Sequence, residues 1–141
     1  MADSIAALQK QLLACTHCEA HLPLGANPIF SFSKHSKIAL ISQAPGVLAH
    51  KKSIPYKDPS GRRLRNWLGV DEATFYNPNH LAILPMGFCY PGKGKSGDLP
   101  PRRECDPLWH ARIWEVLENI QLKIVIGQYA QQAYIPNRKR N

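Results

Sequence analysis

The chain has 141 residues, about one domain by length and too few for two independent cores. Its apolar fraction of 44% sits at the low edge of a globular domain, and 12 Pro with 9 Gly predict many fixed turns. The 18 Lys+Arg against 10 Asp+Glu give a net charge of +8, which points to an anionic partner but is too well mixed with apolar residues for a disordered polycation. No run approaches the roughly 18 apolar residues of a membrane span, and the start of the chain lacks a secretory pattern, so a soluble, cytoplasmic monomer is expected.

The first expected element is a helix from Ser4, a candidate N-cap, to about Ala14, with Ile5, Leu8 and Leu12 forming one buried stripe. A Pro- and Gly-containing loop leads to a short buried strand, Lys37 to Ser42, broken by Pro45-Gly46. A second helix begins at Pro59-Ser60-Gly61, with Leu64, Trp67 and Leu68 on its apolar face and Arg62, Arg63 and Arg65 on a basic one. Leu81 to Leu84 reads as a strand, Cys89 to Arg103 as a loop, and Asp106-Pro107 as the cap and first residue of a helix reaching about Glu118. Leu122 to Ile126 is the last strand. Alternating helices and short apolar strands predict an α/β fold with a parallel sheet covered on both faces, whose ligand site lies beyond the carboxyl ends of the strands. Residues 1–135 are read as one domain and 136–141 as a basic polar tail.

The four cysteines fall as Cys15-x2-Cys18 and Cys89-x15-Cys105. Disulfides do not suit a cytoplasmic domain of this size, whereas four thiolates suit zinc or an iron–sulfur cluster. Structural zinc generally uses two tight knuckles and the second pair is not one; a cluster tolerates wider spacing. The plainer alternative is a chance pair near a helix end and two small buried residues.

The turn Ser42-Gln43-Ala44-Pro45-Gly46 caps the first strand and exposes backbone N–H groups able to bind a carbonyl or an anion. Tyr56 follows, with Lys51, Lys52, Lys57, Arg62, Arg63 and Arg65 around it. This combination suits a base on an aromatic ring with phosphates on the rim. Tyr56 as an ordinary core aromatic beside a solvated basic face is the competing reading.

With these segments in order, the chain resembles the uracil-DNA glycosylase superfamily, in particular the thermophile-type branch that carries a four-iron four-sulfur cluster. The matching residues are Cys15 and Cys18, Ser42 to Gly46, Ser53 to Tyr56, Ser60-Gly61 before Leu64, and Cys89-Tyr90-Pro91-Gly92 through Cys105. The resemblance implies a three-layer α/β/α fold and hydrolysis of the N-glycosidic bond of uracil, or of a related damaged base, in DNA during base excision repair. It implies a structural 4Fe–4S cluster on Cys15, Cys18, Cys89 and Cys105, with zinc as the alternative. Gln43, Ala44 and Gly46 would supply the turn contacts to the base and Tyr56 the stacking; Arg62, Arg63, Lys93, Lys95 and Arg102 would meet the DNA backbone.

Departures from that family's pattern carry expectations of their own. The turn holds no carboxylate to activate water, and the amide that reads uracil is replaced by Pro85. The late His of the family is not in this sequence, since all six histidines precede its place. The chain is therefore read as C-terminally truncated, with the last strand missing and catalysis impaired. A non-catalytic DNA-binding module and a zinc-stabilised protein without a nucleic-acid role are the alternatives.

Overall fold

The computed structural model describes residues 2–135; the basic tail expected over 136–141 lies outside the described residues. Helix α1 (Ala2–Leu13) is followed by a 3-10 turn at Glu19–His21 and by strand β1 (Ile38–Ile41). Three helices then run from the end of β1 to β2 (Leu81–Ile83): α2 (Val47–Lys52), α3 (Pro59–Leu68) and α4 (Glu72–Phe75). A hairpin of two two-residue strands, β3 (Lys93–Gly94) and β4 (Gly97–Asp98), precedes α5 (Cys105–Val116), β5 (Leu122–Val125) and α6 (Gln128–Tyr134).

The main sheet is three-stranded and parallel in the order β2-β1-β5, with Ile38 opposite both Leu81 and Leu122. From β1 the chain crosses to one side through α3 and α4, then returns past β1 through α5. Right-handed crossovers in opposite directions place their helices on opposite faces. Leu40 and Ile83 accordingly pack with Leu64 and Phe75 of α3 and α4, whereas Ala39 and Ala82 pack with Leu8 and Leu12 of α1 and with Trp109 and Ile113 of α5. Ile41 meets Met86 and Ala130 of α6. The outcome is the expected three-layer α/β/α arrangement around a short parallel sheet. The free edge of β2 is covered by Ser31, which exchanges two backbone hydrogen bonds with Ile83 at 3.1 and 2.7 Å. None of the described helices is long and apolar enough to cross a membrane.

Several local expectations are corrected. Ser4 lies inside α1 rather than capping it, and α5 starts at Cys105, so Pro107 is its third residue. The Cys89–Arg103 segment, expected as a loop, contains the β3–β4 ladder. The largest difference is the rotation of α3. Its inward stripe is Gly61, Leu64 and Arg65, so Arg65 is 8% exposed while Trp67 is 76% exposed. The reason is Gly61: a Cβ there would lie 1.8 Å from the Tyr56 carbonyl oxygen, so only a glycine face can be turned this closely against the preceding loop.

Candidate functional site

A concavity of about 220 Å³ opens where β1 and β2 end. Its floor is the turn after β1, through Ser42, Ala44, Pro45 and Gly46, and one wall is Ile83 with Pro85 after β2. Pro55, Tyr56, Asp58 and Ser60 form the facing wall, and Asp98 reaches in from the β3–β4 hairpin. Parallel α/β sheets bind ligands beyond the carboxyl ends of their strands, which is where this concavity lies.

Tyr56 has φ of 60°, a left-handed conformation that non-glycine residues rarely hold without support. Support comes from beneath. The Arg65 guanidinium donates to the Tyr56 carbonyl at 3.1 Å, lies over the Phe75 and Tyr76 rings, and sits 3.5 Å from Glu72. Tyr76 donates its hydroxyl to the Pro55 carbonyl at 2.6 Å. Arg65, expected on the outer basic face, is therefore the clamp of the pocket wall. The Tyr56 ring stands edge-on to Phe75 with centroids 5.7 Å apart. Burial pushes its phenol up to about 12, against a smaller opposing effect of the Ser42 side chain, so it stays protonated as a hydrogen-bonding group.

Two carboxylates border the pocket, neither singled out by the sequence reading. Asp58 is committed to α3 as its N-cap, accepting from the Gly61 N–H and the Ser60 hydroxyl at 2.8 Å each. The Asp98 carboxylate has no ion pair or hydrogen bond among the described residues, and its Oδ2 comes within 3.7 Å of the point where a Gly46 Cβ would stand. Asp58 had a legible signal, Asp-Pro before a helical period; Asp98 had none, because the hairpin that aims it is only two residues per strand. Of the four residues expected at the base, Ala44, Gly46 and Tyr56 line the pocket. Gln43 does not: its side chain is exposed and packs over Gly127, where a Cβ would meet its Oε1 at 2.7 Å.

Behind Pro85 lies a buried polar chain. Trp114 Nε1–H donates to the Tyr134 hydroxyl at 2.8 Å, that hydroxyl donates to His110 Nδ1, and His110 Nε2–H donates to the Pro85 carbonyl at 2.9 Å. A carbonyl can only accept, so Nε2 carries a proton, and the burial of the ring favours the neutral imidazole, whose Nδ1 accepts from Tyr134. Burial lowers the His110 pKa, opposed by the Pro85 carbonyl and by Asp106 at 3.6 Å.

The four cysteines line one small pocket of about 20 Å³, together with His17, Gly87 and Arg102. Cys18 and Cys105 are buried, Cys15 and Cys89 half-buried, and all four are free thiols. Burial pushes Cys89 up to about 11 and Cys105 up to about 12, with the neighbouring cysteines raising both further. Donors are aimed at the sulfurs: the Phe88 N–H reaches Cys105 Sγ at 3.3 Å, the Asn27 backbone reaches Cys89, and Arg102 reaches Cys18. Arg102 Nε is buried without a partner. Four sulfurs ringed by N–H donors, one unsatisfied, fit an anionic thiolate-held group. No group of three or more His, Cys, Asp or Glu among the described residues is arranged to hold a single metal ion.

Of the expected backbone contacts, Arg62, Arg63, Lys93 and Lys95 are exposed. Arg102 is instead engaged by Glu104 at 2.8 Å and by Cys18, facing the cysteine pocket. Lys57 pairs with Glu72 at 3.2 Å, and Lys52 donates to the Lys57 carbonyl at 3.0 Å.

Three α/β/α layers around a parallel sheet, with a small pocket at the carboxyl ends of the strands walled by Tyr56 and bordered by Asp58 and Asp98, define an α/β protein with a ligand-sized site. The match to a known family is specific: the Uracil DNA glycosylase superfamily model covers residues 30–141, and the chain belongs to that superfamily. The matched span includes the pocket turn, Tyr56 and the second cysteine pair, and begins after Cys15 and Cys18.

Proposed function

We propose that this protein hydrolyses the N-glycosidic bond of uracil, or of a related damaged base, extruded from DNA into the pocket at the ends of β1 and β2. The observation that carries the reading is the pocket itself, with the Pro-Gly turn beneath and the Tyr56 ring at its side. A duplex hides the bond to be cut, so the base must leave the stack, at a cost of a few kcal/mol. Cleavage develops positive charge on the sugar and negative charge on the departing base. The backbone N–H groups of Ala44 and Gly46 in this turn would meet base oxygens, and a protonated Tyr56 would add an aromatic surface.

Asp98 supplies the carboxylate missing from the turn. In the hydrolytic step a water oxygen bonds to the sugar anomeric carbon, the C–N bond breaks with its electron pair leaving on the base nitrogen, and Asp98 accepts the water proton. Asp58 is spent on its helix cap, so Asp98 is the carboxylate free for this role. Turnover is slow, because the pocket lining holds no imidazole and no side-chain amide to steady the leaving base or select it.

Cys15, Cys18, Cys89 and Cys105 would hold a 4Fe–4S cluster. Zinc, which takes its sulfurs at about 2.3 Å, is the alternative occupant of the same four residues. Bound there, the group supplies a cross-link between the segment after α1 and the loop that carries Asp98. We read the protein as a cytoplasmic monomer acting on DNA.

Incubation with single-stranded and duplex oligonucleotides containing one uracil, followed by alkaline cleavage of abasic sites, tests the proposal; intact strands under all conditions overturn it. The pocket without amide or imidazole favours one second reading, a DNA-binding member of the superfamily without chemistry, for which salt-dependent binding with no base release is the signature.

A further inference from the structure

Trp67 is the most exposed large apolar side chain among the described residues, at 76%, and it makes no ring or cation contact there. A single exposed apolar residue is ordinary on a protein surface. Its neighbours are not. Helical spacing sets Ser60, Arg63 and Trp67 at i, i+3 and i+7, on one stripe of α3, with Arg62 and Asn66 beside it. All five are exposed, and neither Arg62 nor Arg63 has an acidic partner among the described residues. The other arginine of the helix, Arg65, is buried with Glu72 close by, so α3 separates a structural cation from two unpaired ones. The stripe also has a fixed origin, because Ser60 lines the pocket. From Ser60 to Trp67 the helix rises about 10 Å. A stacked strand, at about 3.4 Å per nucleotide, covers that distance in about three nucleotides.

We propose that the Ser60–Arg63–Trp67 stripe is a stacking track for unpaired DNA, with Trp67 taking the face of a base about three nucleotides from the one in the pocket and Arg63 and Arg62 taking the phosphates between. The register rests on the reading of the pocket as a base site; the binding itself does not. Aromatic faces accept any base, so the track adds affinity for single strands without reading sequence. A paired duplex has its base faces covered and cannot use Trp67.

Trp109 is buried and Trp114 partly so, which makes Trp67 the tryptophan open to an added strand. Titration of the intact protein with oligodeoxythymidylate is expected to quench its fluorescence. Trp67→Ala is expected to weaken single-strand binding about tenfold and abolish the quench, while Trp67→Phe stays within about twofold of wild type. Binding to a fully paired duplex should change less than twofold in either variant. Absence of quenching, wild-type affinity in Trp67→Ala, or an equal loss on paired duplex each overturns the proposal. The assay needs no base release: Trp67-dependent binding without uracil excision overturns only the catalytic reading, and excision with Trp67-independent binding overturns only this one.

Discussion

His110 donates its Nε2–H to the Pro85 carbonyl at 2.9 Å, so α5, which contributes no residue to the pocket, fixes one of its walls. The same imidazole accepts from Tyr134 of α6, and three elements are joined through one neutral ring.

That neutrality predicts a pH dependence. Burial depresses the folded pKa of His110 below its unfolded value near 6.5. Above that value both states are neutral and the network stabilises fully. As pH falls below about 6.5 the unfolded chain takes up a proton the folded one resists, and stability is lost. Denaturant unfolding is expected to give a lower stability at pH 5.5 than at 7.5, with a smaller drop in His110→Gln. Equal drops would show that other groups carry the effect.

Tyr134→Phe removes the hydroxyl that both accepts from Trp114 and donates to His110. Two buried polar atoms lose their partner, for an expected loss of about 1–3 kcal/mol by chemical denaturation. A neutral substitution would mean that water replaces the hydroxyl.

Gly61→Ala should disrupt the pocket wall, since its Cβ would stand 1.8 Å from a backbone oxygen that cannot swing away. The expected cost is at or above the roughly 1–3 kcal/mol of ordinary overpacking, with weakened DNA binding in the folded fraction. Arg65→Met is expected to cost about 1.5–3 kcal/mol by leaving the Tyr56 carbonyl without its charged donor. Arg62→Ala and Arg63→Ala, on the opposite face, should leave the melting temperature within about 1 °C and lower the salt dependence of DNA binding by about one counterion each.

Asp98→Asn keeps the size of an exposed side chain and removes its charge. Stability is expected to hold within about 0.5 kcal/mol, while single-turnover excision of uracil falls at least about a hundredfold. Excision at the wild-type rate would return the search for the water-orienting group to Asp58.

Cys89→Ser tests the thiolate quartet. Protein purified without oxygen is expected to be brown, with visible absorption that iron chelation under reducing conditions removes together with several degrees of thermal stability. The serine variant should be colourless and less stable. Colourless wild-type protein carrying zinc would replace the cluster by a single ion.

Much of this molecule was readable from residue order alone. The strands at Ile38 and Leu81 and the Pro-Gly turn follow from short apolar runs and local turn chemistry, both properties of neighbouring residues, and the family from the resemblance of ordered motifs. The buried stripe of α3 was only half legible: Leu64 was correctly inward, but hydrophobicity placed Trp67 inside and Arg65 outside. Charge normally keeps an arginine in water, and nothing near Arg65 in sequence announces that the Tyr56 carbonyl and the Tyr76 hydroxyl, brought in from either side of α3, would satisfy it.

The sequence by itself determined the class of fold, the ends of strands where the pocket would lie, and the inventory of cysteines and basic residues. Only the tertiary structure decided which carboxylates border the pocket and which of them is left unpaired, which arginine is structural, and which surface of α3 meets solvent. The division has one physical cause: periodicity and turn propensity are local, whereas the place of Asp98 and the partners of Arg65 and Arg102 are set by contacts between segments that meet only after the chain has folded.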